Sequence, residues 1–476
     1  MPSELPIRDE ELLDSLVRRG YAAQGAGRLD EAEQCYRDIL RREPDHYDAL
    51  YLLGTLLDSS RRSEDAAEFL RKAVALRPRE TAFHEALGIA LENCGQPAQA
   101  IACYRTVVVL DPSNALVMNN LGCLLRNEGD IAKARACFEG ALLVRPDLAQ
   151  AHYNLAKIAQ DFGDPRGAVK HFRAVLQTQP GHAEVWNNLG CVLQSLGDLE
   201  EAAGAFRRAL GARPDYGVAG KNLGGALREL GRLDEAVQAY EQASQLLPQD
   251  ASIRHYLAAL RQANPERASA AYVKEMFDQF APKFDETLVE GLGYRTPQLL
   301  FEAIGSALDQ PTPKLRILDL GCGTGLFGVQ AAAISRRLTG VDLSGEMLKR
   351  AAARRCYQRL EERELLEFLR DEPPESYDLV AAVDVFVYFG TLSDIFARTR
   401  AVLAKEGLFA YSVEAELETD KDFRLGTTGR YSHSQRYLEA LGREHGFAQL
   451  SFSPAILRQE KGGGVQGYVC LLRRLT

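Results

Sequence analysis

The chain has 476 residues, of which 46% are hydrophobic and 26% charged, with a net charge of −9; this is a globular composition whose length suggests about three domains. The acidic balance argues against nucleic acid as the main partner, because binding phosphates takes a concentrated basic face, and no apolar run approaches the ~20 residues of a membrane span. Nine cysteines without a C-x-x-C pair, and an N-terminus lacking the basic and apolar regions of a signal peptide, set the expectation of a cytoplasmic chain with no membrane partner, disulfide or metal.

After a short N-terminal cap (1–12), the chain keeps a strict period. Pro44, Pro78, Pro112, Pro146, Pro180, Pro214 and Pro248 are each 34 residues apart. Ala32, Ala66, Ala100, Ala134, Ala168, Ala202 and Ala236 share the interval, as do Gly20, Gly54, Gly88, Gly122, Gly190 and Gly224, with Ala156 once in their place. Tyr36, Tyr104, Phe138, Phe172, Phe206 and Tyr240 follow the alanines by four residues, with Leu70 the exception. Small residues let two helices approach, the aromatic one turn on is expected to plug the next interface, and proline ends each second helix. The pattern resembles the tetratricopeptide repeat. It implies an all-α solenoid of seven repeats over 13–250, then a capping helix and linker over 251–270. Arg61 stands where other repeats have a turn glycine, which predicts a less regular second turn. Cys35, Cys103 and Cys137 share one repeat position and Cys123 and Cys191 another, as small packing residues do.

Asn120, Asn154, Asn188 and Asn222 recur at one position of the first helix, followed on nearly the same face by Arg126, Gln160, Gln194 and Arg228. In the repeat family this face lines the concave surface. An amide ladder there holds the main chain of an extended peptide, forms a solvated ladder within the solenoid, or serves self-association through the same array.

Asn264-Pro265-Glu266-Arg267 breaks the rhythm, and a second domain is placed over 271–476. Phe277, Phe280 and Phe284 then form an amphipathic helical stripe. Leu315–Leu318 reads as a strand, Asp319-Leu-Gly-Cys-Gly-Thr-Gly325 as a glycine loop, and Leu326–Ala333 as a helix whose N-terminus suits an anion. The glycine spacing is neither the dinucleotide fingerprint nor a Walker loop. Leu338–Asp342 is a second strand ending in an acid, placed to grip ribose hydroxyls. Glu346–Arg354 and Ile395–Leu403 read as helices, and Gln358–Arg363, Tyr377–Asp384 and Leu408–Glu414 as strands, which implies a parallel, doubly wound sheet. Phe447–Leu457 and Gly467–Arg473 flank Glu460-Lys-Gly-Gly-Gly464 as an antiparallel hairpin.

The loop and Gly340-Val-Asp-Leu-Ser344 resemble the first two motifs of class I S-adenosylmethionine-dependent methyltransferases, whose Rossmann-like domains also end in a reversed hairpin. With Gly293-Tyr-Arg-Thr-Pro297 and Asp384-Val-Phe-Val-Tyr-Phe-Gly390, nearly the whole chain is similar to bacterial predicted methyltransferases that carry such repeats. The resemblance implies S-adenosylmethionine as cofactor. Its methionine carboxylate would meet backbone N–H groups around Gly321, Gly323 and Thr324, within a loop completed by Cys322 and Gly325. Asp319 would support the loop and the ligand's amine, Asp342 with Leu343 would take the ribose, and Glu364 would lie near the adenine. Asp384 and Val385 would face the sulfonium and the acceptor, and the phenylalanine stripe would act as a lid.

Methyl transfer is an in-line displacement, so rate can come from positioning, with a base needed where the acceptor carries a proton. Asp384, Glu414, Tyr388, Tyr431 and His433 are the candidates. The absence of an Asn/Asp-Pro-Pro-Tyr/Phe motif disfavours planar amides and nucleobase amines. The leading expectation is O- or N-methylation of a small polar molecule, such as a carboxylate or sugar-like acceptor, with a repeat arm for protein interaction. The alternatives are a peptide substrate delivered by the asparagine groove, or an interaction scaffold with an inactive cofactor-binding fold.

Overall fold

The structure, a computed structural model, describes residues 9–291, 293–308, 314–418, 420–460 and 463–476. It divides into two compact units, Met1–Asn222 and Leu223–Thr476.

The first unit is built of helix pairs, from Asp9–Gly25 and Leu29–Arg42 to Ala183–Leu196 and Leu199–Ala212. Pro44, Pro78, Pro112, Pro146, Pro180 and Pro214 each lie two residues past the end of a second helix, where proline's missing N–H costs nothing. Asn114, Asp130 and Asp164 cap helices by accepting the N–H three residues on, at 3.0, 3.2 and 2.9 Å. The aromatic rings fill the crossing inside their own repeat, and Tyr240 also stacks on Tyr256 of the following helix at 5.9 Å. A Cβ built on Gly122 would lie 2.6 Å from the Phe138 ring, which is fully buried.

The second turn is also regular. Arg61 adopts φ 62°, the left-handed conformation of its glycine counterparts Gly27 (74°) and Gly129 (84°). Left-handed backbone costs an L-residue roughly 1–2 kcal/mol. Arg61→Gly is therefore expected to stabilise the solenoid by about 1 kcal/mol, read as a higher denaturant midpoint at unchanged slope.

The asparagine ladder points inward in part. Asn154 donates to Asn119 Oδ1 (3.1 Å) and Cys123 Sγ (3.3 Å) and accepts from Arg126 (3.0 Å). Asn222 donates to Asn187 Oδ1 (2.9 Å) and Cys191 Sγ (3.5 Å). Two of the four amides are thus engaged in bonds between successive repeats, while Asn120 and Asn188 are half-buried.

The second unit contains a nine-stranded mixed sheet. Its strands are β1 (Leu315–Leu320), β2 (Ser335–Asp342), β3 (Arg359–Glu362), β4 (Tyr377–Ala382), β5 (Leu403–Ala415), β6 (Phe423–Leu425), β7 (Tyr431–His433), β8 (Phe447–Glu460) and β9 (Gly463–Arg474). The order is β3-β2-β1-β4-β5-β7-β6, parallel from β3 to β5, with β9 antiparallel to β5 and β8 antiparallel to β9. Parallel strands covered by helices are apolar throughout: Ile317, Leu318, Leu379 and Val380 have no exposure. The short pair β6–β7 lies where the sequence shows only a polar insertion.

The division between units falls at 222/223, earlier than a boundary in 251–270. The cap helix Ala251–Leu260 shares a core with the sheet's loops, in which Ala251, Ala259 and Tyr272 pack with Val387, Tyr388, Leu425 and Tyr431. Asn264 grips β6 from both sides, donating to Phe423 O (3.2 Å) and accepting from Leu425 N–H (2.9 Å).

Candidate functional site

The C-terminal ends of β1, β2 and β4 open onto a cavity of about 510 Å³, a volume within the range of small-ligand sites. Gly321 and Gly323 reach it after β1, Asp342 and Leu343 at the end of β2, Glu364 after β3, and Asp384 and Val385 after β4. Phe277 and Phe280, from the helix Ala270–Phe280, and Phe284 just beyond it form the facing wall. Phe280 and Phe284 meet edge to face at 5.5 Å, and Phe277 meets Tyr388 the same way at 5.5 Å.

Asp342 sits at the centre of the loop's architecture. Its Oδ2 accepts Gly323 N–H at 2.9 Å and its Oδ1 accepts Ser344 N–H at 2.8 Å. Burial pushes its pKa up, opposed by these backbone bonds. Each oxygen has a further lone pair for a ligand.

Of the amides expected to cradle a carboxylate, those of Gly321 and Gly323 have partners within the protein. Gly321 and Cys322 N–H donate to Val341 O, and Gly325 N–H donates to Cys322 O. With Gly323 bound to Asp342, these amides are engaged within the protein. The glycines instead supply left-handed backbone, at φ 65° for Gly321 and 53° for Gly323, and a wall without side chains.

Asp319, Cys322, Thr324 and Gly325 do not line the cavity. Asp319 is 1% exposed and accepts Tyr357 Oη–H at 2.6 Å, and burial raises its pKa to about 7. Its carboxylate is thus held by Tyr357 next to the loop. The buried Cys322 thiol is pushed well up by burial. Thr324 Oγ1 donates to Asp285 Oδ1 at 2.5 Å, tying the loop to the segment after the phenylalanine stripe.

Asp384 is a non-glycine residue at φ 53°, a strain that persists only where neighbours over-determine it. Its N–H donates to Ser412 Oγ (2.8 Å), whose hydroxyl donates back to Oδ1 (2.9 Å). Burial and the nearby Asp384 carboxylate push the Tyr294 hydroxyl well up, and Arg458 Nη1 lies 3.8 Å from Oδ2. Tyr388 lines the cavity beside it, its hydroxyl pushed up to about 12 by burial. Glu364 caps the helix Leu365–Asp371 through Glu367 N–H (3.0 Å) and pairs with Arg267 (3.2 Å).

Tyr431, His433 and Glu414 are not base candidates in this geometry. Tyr431 is fully buried and donates to Pro265 O at 2.9 Å. His433 is fully buried on β7 with Nε2 3.0 Å from Gly390 O. Neither lines the cavity, and Glu414 is paired with Arg458 behind it. Burial pushes His433 from 6.5 down to about 4. Between those values the unfolded chain binds the proton and the folded chain does not. Stability is therefore full above pH 6.5 and falls as pH drops toward 4, by about 3 kcal/mol at most. His433→Gln is expected to flatten this loss in urea midpoints measured at pH 7 and pH 4.5.

Among the cavity residues that escaped the sequence reading are Tyr294, Arg430 and Arg458. Arg430 Nη1 and Arg458 Nε both donate to Glu460 Oε1, at 2.6 and 2.7 Å. Gly293-Tyr-Arg-Thr-Pro297 holds Tyr294 and the polar stretch Gly429-Arg-Tyr-Ser-His433 holds Arg430, whereas Arg458 has no local signal.

A family profile described as a methyltransferase domain matches residues 318–409. Tetratricopeptide-repeat profiles match 17–81, 83–114, 103–136, 153–217 and 188–251. Methyltransferase-like protein 27 of Homo sapiens is 38% identical over 119 residues, covering 25% of this chain and 46% of that protein. Malonyl-acyl-carrier-protein O-methyltransferase of Geobacter sulfurreducens is 38% identical over 104 residues, covering 21% of this chain and 38% of that protein. The chain thus spans less than half the length of these relatives. Among solved structures, MamA protein is 23% identical with a TM-score of 0.34, over 37% of this chain and 96% of that one. Residues 318–409 are thus similar to methyltransferase domains, and stretches of 17–251 to tetratricopeptide repeats.

Proposed function

We propose that the second unit binds S-adenosylmethionine in the cavity and transfers its methyl group to a small polar acceptor. The observation that carries this reading is Asp342 at the tip of β2, lining one cavity with Gly321, Gly323 and Asp384 under the phenylalanine wall. The residues present fit such a group. Asp342 accepts the ribose hydroxyls, Leu343 and Val385 supply apolar walls, and Glu364 stands on the adenine side. The bound cofactor supplies an already activated methyl carbon. The chain's own part is to orient the acceptor, exclude water with Phe277, Phe280 and Phe284, and receive a proton at the Asp384 carboxylate where the acceptor carries one.

An oxygen acceptor is in keeping with the relative named as an O-methyltransferase. A small acceptor is favoured over a peptide held by the asparagine groove, because the Asn154 and Asn222 amides already bond neighbouring repeats. The repeat array remains the surface for a protein partner. Calorimetric titration of the full chain with S-adenosylmethionine tests the reading: a Kd in the micromolar range, about −8 kcal/mol, is expected. The absence of both binding heat and thermal stabilisation would refute it.

A further inference from the structure

We infer that Arg228 and His255, which precede the sheet by many residues, are positioning residues that set Arg430 in the cavity. The inference rests on reading that cavity as the methyl-transfer site.

Arg430 ends a tight turn between β6 and β7. Gly426 N–H donates to Arg430 O at 2.9 Å, and Gly429 N–H donates to Gly426 O at 2.9 Å. Strands of three residues give such a hairpin little stability of their own. The turn is held from outside at two carbonyls. Arg228 Nη1–H donates to Thr427 O at 3.0 Å, and His255 Nε2 lies 2.8 Å from Gly429 O. His255 is buried at 6% exposure, and burial lowers its pKa, so a neutral ring donates Nε2–H to that carbonyl. Its orientation is fixed by stacking on Tyr272 at 4.2 Å. The Arg228 guanidinium lies 4.5 Å over the Tyr256 ring. Gly429 permits the close approach: its φ is 82°, and a Cβ there would meet the Tyr256 ring at 2.9 Å.

One residue further, the chain delivers Arg430 to the cavity. Its Nη1 donates to Glu460 Oε1 at 2.6 Å and lies 3.7 Å from Glu414. Arg228 and His255 do not line the cavity; they act on it through the turn's backbone. The end of the repeat array is thereby a working part of the site.

The test uses the full chain with Arg228→Met, His255→Leu and the double variant, beside the conservative Arg228→Lys and His255→Gln. Three quantities are read: amide exchange of the 424–433 segment, the rate of phenylglyoxal labelling at Arg430 by peptide mass spectrometry, and calorimetric binding of S-adenosylmethionine. The double variant is expected to exchange the Gly426 and Gly429 amides and label Arg430 about tenfold faster, the scale of one lost hydrogen bond. The conservative variants should stay near the parent, and cofactor affinity should change less than about threefold. Parental exchange and labelling in the double variant would overturn the inference, and in the single variants if the double does not fold. A parent chain that fails to bind S-adenosylmethionine would instead refute the reading of the cavity, with the labelling rates still deciding the role of the anchors.

Discussion

Asp342→Ala is expected to weaken S-adenosylmethionine binding at least ~100-fold. Two charge-assisted bonds to the ribose would be lost, each worth ~1.5–3 kcal/mol. The structure adds a second reason for a large effect. The same carboxylate accepts Gly323 N–H and Ser344 N–H, so its removal also deprives the glycine loop of one of its fastenings. Asp342→Asn separates the two roles, because the amide oxygen retains one acceptor while the charge is lost. Calorimetry on the three proteins reads both. Unchanged affinity in Asp342→Ala would remove Asp342 from the site.

The second large effect concerns where the catalytic unit begins. A chain cut at 266 loses five hydrogen bonds, those of Arg228 to Thr427, His255 to Gly429, Asn264 to Phe423 and Leu425, and Tyr431 to Pro265. At about 1 kcal/mol each, the total of about 5 kcal/mol is the scale of a whole domain's stability. Residues 266–476 are therefore expected to melt about 10–20 °C below residues 217–476, or to fail to unfold cooperatively. Equal melting temperatures would show that the last repeat and cap helix are dispensable.

Much of this site is legible in the sequence because its chemistry is local. The loop from Asp319 to Gly325, the acid at Asp342 and the stripe of Phe277, Phe280 and Phe284 are contiguous or helically spaced, and the fold places the stripe, Gly321, Gly323 and Asp342 around one cavity. What escaped is set by long-range pairing. Arg458 reaches the cavity from β8, and Arg430 from a hairpin of three-residue strands too short to show a period. His433 and Tyr431 look catalytic in a polar stretch, yet β7 pairs with β5 and turns both side chains into the core. The amides of Gly321 and Gly323 were expected to face a ligand, and the adjacent strand end at Val341 and Asp342 accepts both. In the repeats, period and breakers are sequence properties, whereas the partner of each ring is not. Phe138 fills the space left by Gly122 sixteen positions earlier, a choice that the 34-residue interval alone leaves open.

The central claim is that the cavity beneath the phenylalanine wall is the cofactor site, and a crystal structure of the full chain grown with S-adenosylmethionine tests it most directly. The account predicts the ribose hydroxyls on the Asp342 carboxylate and the sulfonium between Gly321 and Asp384. Density for the cofactor outside this cavity, or a ribose held without Asp342, would contradict it.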